Sequence, residues 1–203
     1  MNKLYPINEI FFSLQGEGHN AGRAAVFIRL SGCNLQCPFC DTDHSRHVMM
    51  SAKEIILEAE KYDCGFVVLT GGEPSLWIDQ DLIDRLHEHF EIAIETNGTH
   101  QLPNNIDWIT LSPKQHSVQG AHVVIDRCNE LKLIWEAGFN ADKMNDLIEN
   151  EYGHIAHSEI YIQPCDTGSI TRNKEIIKDA VDYCLNNTDV KLSVQLHKIL
   201  NIK

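Results

Sequence analysis

Three cysteines lie close together in the first quarter of the chain. Cys33, Cys37 and Cys40 have the spacing C-x₃-C-x₂-C within a polar stretch. Thiolates are soft ligands that suit iron–sulfur clusters, zinc and copper(I). Because a structural zinc site normally has four protein ligands, three close cysteines favour a four-iron, four-sulfur cluster with one iron left open to a small molecule. A zinc site completed by His44 or His47 stays open as an alternative.

Two further segments carry residues that suit the binding of a cofactor. The run Thr70-Gly71-Gly72-Glu73-Pro74 follows an apolar stretch, and Ser112-Pro113-Lys114 follows another. Glycines directly after a strand allow a close approach of the backbone to a ligand, which a bulkier side chain would block. A glycine pair by itself also indicates a simple turn, as does Asn97 followed by Gly98.

Arg29 is a charged residue inside an apolar run, Phe27 to Leu30. A buried guanidinium needs a partner, and a carboxylate can pair with it through two hydrogen bonds. The sequence leaves two partners open, which are the carboxylate of a substrate and an acidic side chain of the protein itself.

Short apolar runs alternate with amphipathic segments, which indicates βα units around a largely parallel sheet. The strands are predicted at residues 24–30, 66–70, 91–95, 108–111, 131–135, 160–163 and 190–194. The helices are predicted at residues 51–61, with a capping box at Ser51 and Glu54, and at 82–90, 141–149 and 172–185. The cysteines, the glycines and Asn97 then occupy the loops after the first three predicted strands.

This pattern predicts an α/β fold, an incomplete βα barrel built on a parallel sheet. A full barrel of eight units needs about 250 residues, whereas this chain has 203. We expect a single domain over residues 1–203, with the cluster at the carboxyl ends of the strands.

The composition is that of a globular protein with an ordinary core. Hydrophobic residues make up 43% and charged residues 23%, and the formal net charge is −12. A negative charge of this size argues against a broad nucleic-acid surface. No apolar stretch reaches the length of a membrane span, and the N-terminus lacks the apolar segment of a signal peptide, so we expect a cytoplasmic protein. The four scattered cysteines, at 64, 128, 165 and 184, are expected to be small buried hydrophobic residues.

The cysteine spacing, with Phe39 just before the third cysteine, and the GGEP run resemble the radical S-adenosylmethionine (SAM) superfamily. More particular features are the segment from Phe12 to Gly18 (FSLQGEG), the Cys40-Asp41-Thr42 run and the Ser112-Pro113-Lys114 run. Together these resemble the family of 7-carboxy-7-deazaguanine synthases over most of the chain, and most densely in its first half.

That resemblance implies a reaction and its cofactors. The substrate would be 6-carboxy-5,6,7,8-tetrahydropterin, and the products 7-carboxy-7-deazaguanine and ammonia, in queuosine (7-deazapurine) biosynthesis. A reduced 4Fe–4S cluster would cleave SAM to a 5′-deoxyadenosyl radical, which takes hydrogen from C6 of the pterin before the ring contracts. Mg²⁺ would assist the rearrangement. An external electron donor, flavodoxin or ferredoxin, and a homodimer are implied in the same way.

The resemblance also implies roles for individual residues. Cys33, Cys37 and Cys40 would bind the cluster, and Thr42 would bind Mg²⁺. The residues expected to contact SAM are Gly72, Asn97, Ser112, Pro113 and Lys114. The residues expected to contact the substrate are Leu14, Gln15, Gly16, Arg29 and Thr70.

Two alternatives share parts of these motifs. An activating enzyme that makes a glycyl radical on a partner protein would keep the cysteine triplet and the glycines, but would need no pterin or Mg²⁺. A non-enzymatic zinc or cluster module would have no use for the GGEP and Ser112–Lys114 segments.

Overall fold

The computed structural model describes residues 3–40, 42–43 and 46–203. Its strands are, in chain order, β1 Leu4–Leu14, β2 Ala24–Leu30, β3 Val48–Ser51, β4 Phe66–Gly71, β5 Glu91–Thr96, β6 Trp108–Leu111, β7 Glu130–Trp135, β8 Glu159–Pro164 and β9 Val190–Leu192. Its α-helices are α1 Ala52–Ala59, α2 Gln80–His87, α3 Ala141–Asp146, α4 Ile170–Asn186 and α5 Leu196–Leu200. A π-helical segment, Leu147–Glu151, continues α3.

Within the described residues, all the strands join one open sheet in the order β3-β1-β2-β4-β5-β6-β7-β8-β9. The strands from β2 onward along this order are parallel, whereas β1 pairs antiparallel with both β2 and β3. The sheet does not close, so the prediction of an incomplete barrel is confirmed. Two of the crossovers, β5 to β6 and β6 to β7, contain no α-helix, which explains how the fold fits into a short chain.

The alternation of side chains along the inner strands separates two cores. Val26, Ile28 and Leu30 of β2 face the helices and belong to the larger apolar cluster. Ala25 and Phe27 face the other side of the sheet, in a smaller cluster. Because side chains on a strand alternate in direction, Arg29 lies on the same face as Ala25 and Phe27. This inner face is the one that reaches the site.

The ends of the helices follow the rules of capping. The Ser51 hydroxyl accepts from the Glu54 backbone N–H, and the Glu54 carboxylate accepts from the Ser51 backbone N–H, so the predicted capping box is confirmed. Asp79 caps α2 and Ser169 caps α4, each three residues ahead of the predicted helix starts at 82 and 172.

Three elements were absent from the prediction. The sequence predicts no strand before residue 24, whereas Leu4–Leu14 form β1, which includes the first residues of the segment from Phe12 to Gly18. The edge strand β3 and the helix α5 have only four and five residues, too few to give a clear periodic pattern. Among the described residues, no helix has the length and apolar character needed to cross a bilayer.

We expect Gly71→Ala to destabilise the protein by about 3 kcal/mol or more. Gly71 has a φ of +134°, and an added Cβ would lie 2.0 Å from the Leu30 carbonyl oxygen. Gly65 is the matched control, because its φ is ordinary and an added Cβ would meet nothing within 4 Å. Urea unfolding should place Gly65→Ala within about 0.5 kcal/mol of the wild type, and equal effects of the two variants would contradict this account of Gly71.

Candidate active site

The three clustered cysteines lie in the loop after β2. All of them line a cavity of about 250 Å³ at the carboxyl ends of the parallel strands. The loop turns at its end, where the Cys40 backbone N–H donates to the Cys37 carbonyl oxygen at 3.1 Å. Burial raises the pKa of both the Cys33 and the Cys37 thiol. A bound cation is therefore needed to hold these sulfurs as thiolates at neutral pH.

The donor set on this loop fits a cuboidal iron–sulfur cluster. Each iron of a 4Fe–4S cluster can take one thiolate, so the three cysteines that line this cavity can bind three irons and leave the fourth open to a small molecule. In the part of the chain that the structure describes, no three His, Cys, Asp or Glu side chains stand close enough to enclose a single metal ion. His47 is exposed, and His44 and Asp41 lie outside the described residues. A fourth thiol, Cys165, is half-buried and lines the same cavity, so the expectation of a buried core residue was wrong for Cys165.

The two glycines after β4 pack directly against the cysteine loop. A Cβ at Gly72 would lie 2.1 Å from the Gly32 carbonyl oxygen and 3.0 Å from the Cys33 Cβ. The Gly72 backbone N–H donates to the Leu30 carbonyl oxygen at 3.1 Å. Gly72 also lines the cavity. Since its N–H is already bonded, Gly72 can offer a ligand only its carbonyl oxygen, which suits an ammonium donor such as the amino group of SAM.

Glu73 joins the loop after β4 to the loop after β5. Its carboxylate is buried and accepts three hydrogen bonds, from the Ser75 backbone N–H at 3.0 Å, the Thr96 hydroxyl at 2.7 Å and the Asn97 backbone N–H at 2.7 Å. Its own backbone N–H donates to the Gly32 carbonyl oxygen at 2.9 Å. The side chain and backbone of one residue thus fix the relative positions of three loops.

Asn97 and the Ser112–Lys114 segment complete the wall of this cavity. The Asn97 side chain donates to Asn34 at 3.2 Å and accepts from the backbone N–H of Thr99, so it shapes its own turn while it lines the cavity. Lys114 donates to the carbonyl and hydroxyl oxygens of Ser112, at 2.6 and 2.7 Å. Burial lowers the pKa of Lys114 to about 8. Of the residues expected to contact SAM, Pro113 is buried behind the wall and the other four line the cavity.

A second cavity, of about 180 Å³, adjoins the first. Both cavities are lined by the same five residues, Glu17, Thr42, Thr70, Glu95 and Gln195. All the residues expected to contact substrate line the second cavity, namely Leu14, Gln15, Gly16, Arg29 and Thr70. Phe11 and Phe27 also line it, and their rings stack with centroids 5.0 Å apart. The second cavity therefore combines an apolar aromatic wall with polar groups that face it.

Arg29 has a partner within the protein. Its Nε donates to the Glu9 carboxylate at 3.1 Å, which is the second of the two partners that the sequence left open. The two side chains are 22% and 31% exposed, so the pair lies at the rim of the cavity rather than in the core. Glu9 is also bonded to the Lys203 ammonium, and these cations hold the pKa of Glu9 below its usual range although burial opposes this.

A buried lysine lines the first cavity, and the sequence interpretation does not include it. Lys132, on the inner face of β7, donates to the Glu17 carboxylate at 2.7 Å and to the Glu95 carboxylate at 2.6 Å. Lys132 and Glu95 are charged residues inside apolar strands, the same signal that marked Arg29. Applied to β5 and β7, that signal would have found both.

The surroundings of Lys132, Glu17 and Glu95 do not favour the charged form of all three groups equally. Burial opposes the charge of Glu17, but Lys132 holds the pKa of that carboxyl at about 2. Burial raises the pKa of Glu95 to about 7, with Glu17 and Glu130 adding to the rise and Lys132 opposing it. Burial alone would lower the pKa of Lys132, but its carboxylate neighbours raise it instead. One ammonium thus faces two carboxyl groups, of which Glu95 takes up a proton more readily than Glu17.

The C-terminal segment, residues 193–203, closes the open side of the barrel over these cavities. The Leu196 backbone N–H donates to the Gly16 carbonyl oxygen at 2.9 Å. The Gln195 amide donates to Glu17 at 3.1 Å. A Cβ at Gly16 would lie 2.3 Å from the His197 ring, so glycine is required there by close packing. The sequence interpretation gave this segment no part in the site.

Comparisons with known proteins agree with this geometry. The model of the Radical SAM superfamily matches residues 27–115. A 7-carboxy-7-deazaguanine synthase from Bacteroides thetaiotaomicron is 45% identical over 198 residues, which cover 97% of this chain and 98% of that protein. One from Nitratidesulfovibrio vulgaris is 40% identical and covers 98% of this chain and 99% of that protein. The crystal structure of QueE from Escherichia coli superposes with a TM-score of 0.79 at 28% identity, over 96% of this chain and 95% of that one.

We expect Glu73→Gln to destabilise the protein by about 2–4 kcal/mol, because an amide replaces one acceptor oxygen and faces a buried donor. The exposed Glu88 provides the matched control, and Glu88→Gln should change the free energy of unfolding by less than about 0.5 kcal/mol. The measurement is urea unfolding of both variants. A Glu73→Gln protein as stable as the control would refute the role of this carboxylate as the link between the loops.

Proposed function

This chain belongs to the family of 7-carboxy-7-deazaguanine synthases within the radical SAM superfamily, and we propose that it converts 6-carboxy-5,6,7,8-tetrahydropterin into 7-carboxy-7-deazaguanine with loss of ammonia. The observation that carries this proposal is the pair of adjoining cavities. The cysteine loop and four of the five residues expected at SAM line one cavity, and the residues expected at the pterin line the other. A reaction that begins with transfer of a hydrogen atom between two ligands needs them in such adjacent spaces.

Cys33, Cys37 and Cys40 would hold the 4Fe–4S cluster, and Gly72, Asn97, Ser112, Pro113 and Lys114 would form the SAM site around it. Bound together and reduced, the cluster and SAM supply the one-electron chemistry that starts the reaction. The chain's own residues position the ligands. The Gly72 carbonyl accepts from an amino group, and Lys114 places a cation beside the carboxylate of a ligand bound in this cavity.

The second cavity has the features that a flat, polar heterocycle needs. The rings of Phe11 and Phe27 offer an apolar wall, and Gln15 and Thr70 offer hydrogen-bonding groups at its edge. Leu14 and Gly16 border the same space. Arg29 lies where it can bind the carboxylate of the substrate in place of Glu9. Because a guanidinium group carries several hydrogen-bond donors, Arg29 can also bind both carboxylates at once.

Thr42 is the residue we assign to Mg²⁺. It is half-buried and lines both cavities, so its hydroxyl is available to an ion that also contacts substrate. Mg²⁺ prefers oxygen ligands and usually keeps only one or two protein contacts, so a single hydroxyl with substrate oxygens and water is sufficient. The ion would orient the substrate and stabilise the charge that develops on it.

The proposal extends to partners and location. The electron comes from an external donor, flavodoxin or ferredoxin. We assign the protein to the cytoplasm, as a homodimer and a lyase whose product feeds queuosine biosynthesis and tRNA modification. The net charge of −12 supports action on a free pterin rather than direct binding of nucleic acid.

The test is an anaerobic assay of the reconstituted, reduced protein with SAM, Mg²⁺ and 6-carboxytetrahydropterin, followed by mass spectrometry. We expect formation of 7-carboxy-7-deazaguanine that requires SAM. Cys37→Ala should abolish the product, whereas Cys184→Ala should retain it, because Cys184 lies on α4 and lines neither cavity. An intact reduced cluster that cleaves SAM slowly but leaves the pterin unchanged would refute the assigned substrate.

We expect Thr42→Val to lower kcat/KM for the pterin about 10–100-fold and to raise the concentration of Mg²⁺ needed for half-maximal rate. Valine keeps the shape of the side chain and removes the hydroxyl ligand. Thr171 is exposed at the start of α4, and Thr171→Val serves as the control. An unchanged Mg²⁺ dependence in Thr42→Val would remove this residue from the metal site.

A further inference from the structure

The ion pairs of Lys132 belong to a closed ring of hydrogen bonds. Lys132 is 6% exposed, and its Nζ donates to Oε2 of Glu17 and to Oε2 of Glu95. The Gln15 amide nitrogen donates to Oε1 of Glu95 at 3.1 Å. The Glu17 backbone N–H donates to the Gln15 amide oxygen at 3.3 Å, which closes the ring.

This ring fixes which way the Gln15 amide points. Its nitrogen is turned to Glu95 and its oxygen to the backbone of Glu17, so donor and acceptor cannot exchange places without breaking two hydrogen bonds. Gln195 supports the ring from the C-terminal segment, through its bond to Glu17 at 3.1 Å.

The members of the ring differ in what they face. Gln15, Glu17 and Glu95 line the second cavity, whereas Lys132 lines only the first. Lys132 therefore acts on the second cavity through the three residues that it holds.

The surroundings of the ring are polar and unevenly charged. Glu130 is buried on the same strand as Lys132, and one of its carboxylate oxygens has no hydrogen-bond partner among the described residues. Lys114 approaches from the loop after β6 and His197 from the C-terminal segment. Without the ammonium of Lys132, the carboxylates of Glu17, Glu95 and Glu130 would face one another, and mutual repulsion would move the first two apart.

We propose that Lys132 is a positioning residue for the binding of the pterin. Through its ion pairs, Lys132 holds Glu95, Glu17 and the amide of Gln15 in the one arrangement that matches the hydrogen-bond donors and acceptors along the edge of the heterocycle. This inference rests on the proposed function. A pterin presents ring N–H, amino and carbonyl groups in a fixed plane. A site that recognises it specifically therefore needs hydrogen-bond donors and acceptors whose orientation is fixed.

The experiment compares Lys132→Met, which removes the charge at similar length, with Lys132→Arg, which keeps it. Lys191→Met is the matched control. Lys191 also forms an ion pair with a glutamate on a strand, Glu159 of β8, at 2.9 Å, but the Lys191 side chain is 52% exposed and lines neither cavity. The reconstituted enzyme with oxidised cluster, SAM and Mg²⁺ is titrated with 6-carboxypterin, a fluorescent oxidised form of the substrate. Slow cleavage of SAM without pterin is measured on the reduced enzyme.

We expect Lys132→Met to weaken pterin binding at least about tenfold, Lys132→Arg to weaken it less, and Lys191→Met to leave it within about twofold. Cleavage of SAM without pterin should stay near the wild-type rate in Lys191→Met. In Lys132→Met it should fall by a smaller factor than the affinity for the pterin, since Lys132 itself lines the first cavity. Binding by Lys132→Met within about twofold of wild type would overturn the inference. A parallel loss of pterin binding and SAM cleavage would also overturn it, because it would show general disruption of the site.

If Lys132→Met does not fold, Glu17→Gln and Glu95→Gln are tested in its place. Each of these variants keeps the shape of the side chain and leaves Lys132 with one carboxylate partner. The inference predicts that both variants weaken binding of the pterin at least about fivefold, and it fails if either variant does not. A wild-type enzyme that neither binds the pterin nor forms product would instead overturn the proposed function itself.

Discussion

The site depends on one buried carboxylate, that of Glu73. It accepts hydrogen bonds from the residues that begin the loops after β4 and β5, and its backbone binds the loop that carries the cysteines. Parallel strands bring their carboxyl ends to one edge of a sheet, but they do not by themselves fix the loops that leave that edge. Here the charge-assisted hydrogen bonds of Glu73 hold the loops in place. The two glycines before Glu73 allow the loops to approach closely enough for these hydrogen bonds to form.

The open barrel also has to be closed against solvent on one side. The β1–β2 hairpin folds across the inner face, where Gly18 donates to Ser193 and the backbone of His19 donates to Glu130. The C-terminal segment then packs on the hairpin through Gly16. A full barrel would complete its wall with further strands, whereas this shorter chain uses loop and tail. The loop between β1 and β2 and the C-terminal segment therefore complete a cavity whose other lining residues lie largely on strands.

The contrast between the regular strands and helices and the irregular loop and C-terminal segment explains what could be predicted from the sequence. The parallel strands and the helices around them follow clear apolar periodicity, and the motifs after β2 and β4 stand at the ends of those strands, so both were predictable. The strand β1 pairs antiparallel, contains Pro6 and has an irregular burial pattern, which hid it. Lys132 and Glu17 are 115 residues apart, so only the tertiary structure reveals that each neutralises the other. The tail residues take part through hydrogen bonds and packing with residues far away in the sequence, which no local pattern reveals.

The contact between tail and hairpin has a consequence for how the protein is made. Gln195 and Glu17 are separated by 178 residues, and the hydroxyl of Ser13 reaches the backbone of Lys203. During synthesis the parallel strands can pair as they leave the ribosome, but the second cavity has no closed wall until the segment around residues 195–203 has emerged. A nascent chain that has not yet released this segment would thus carry the cysteine loop beside an unfinished pocket.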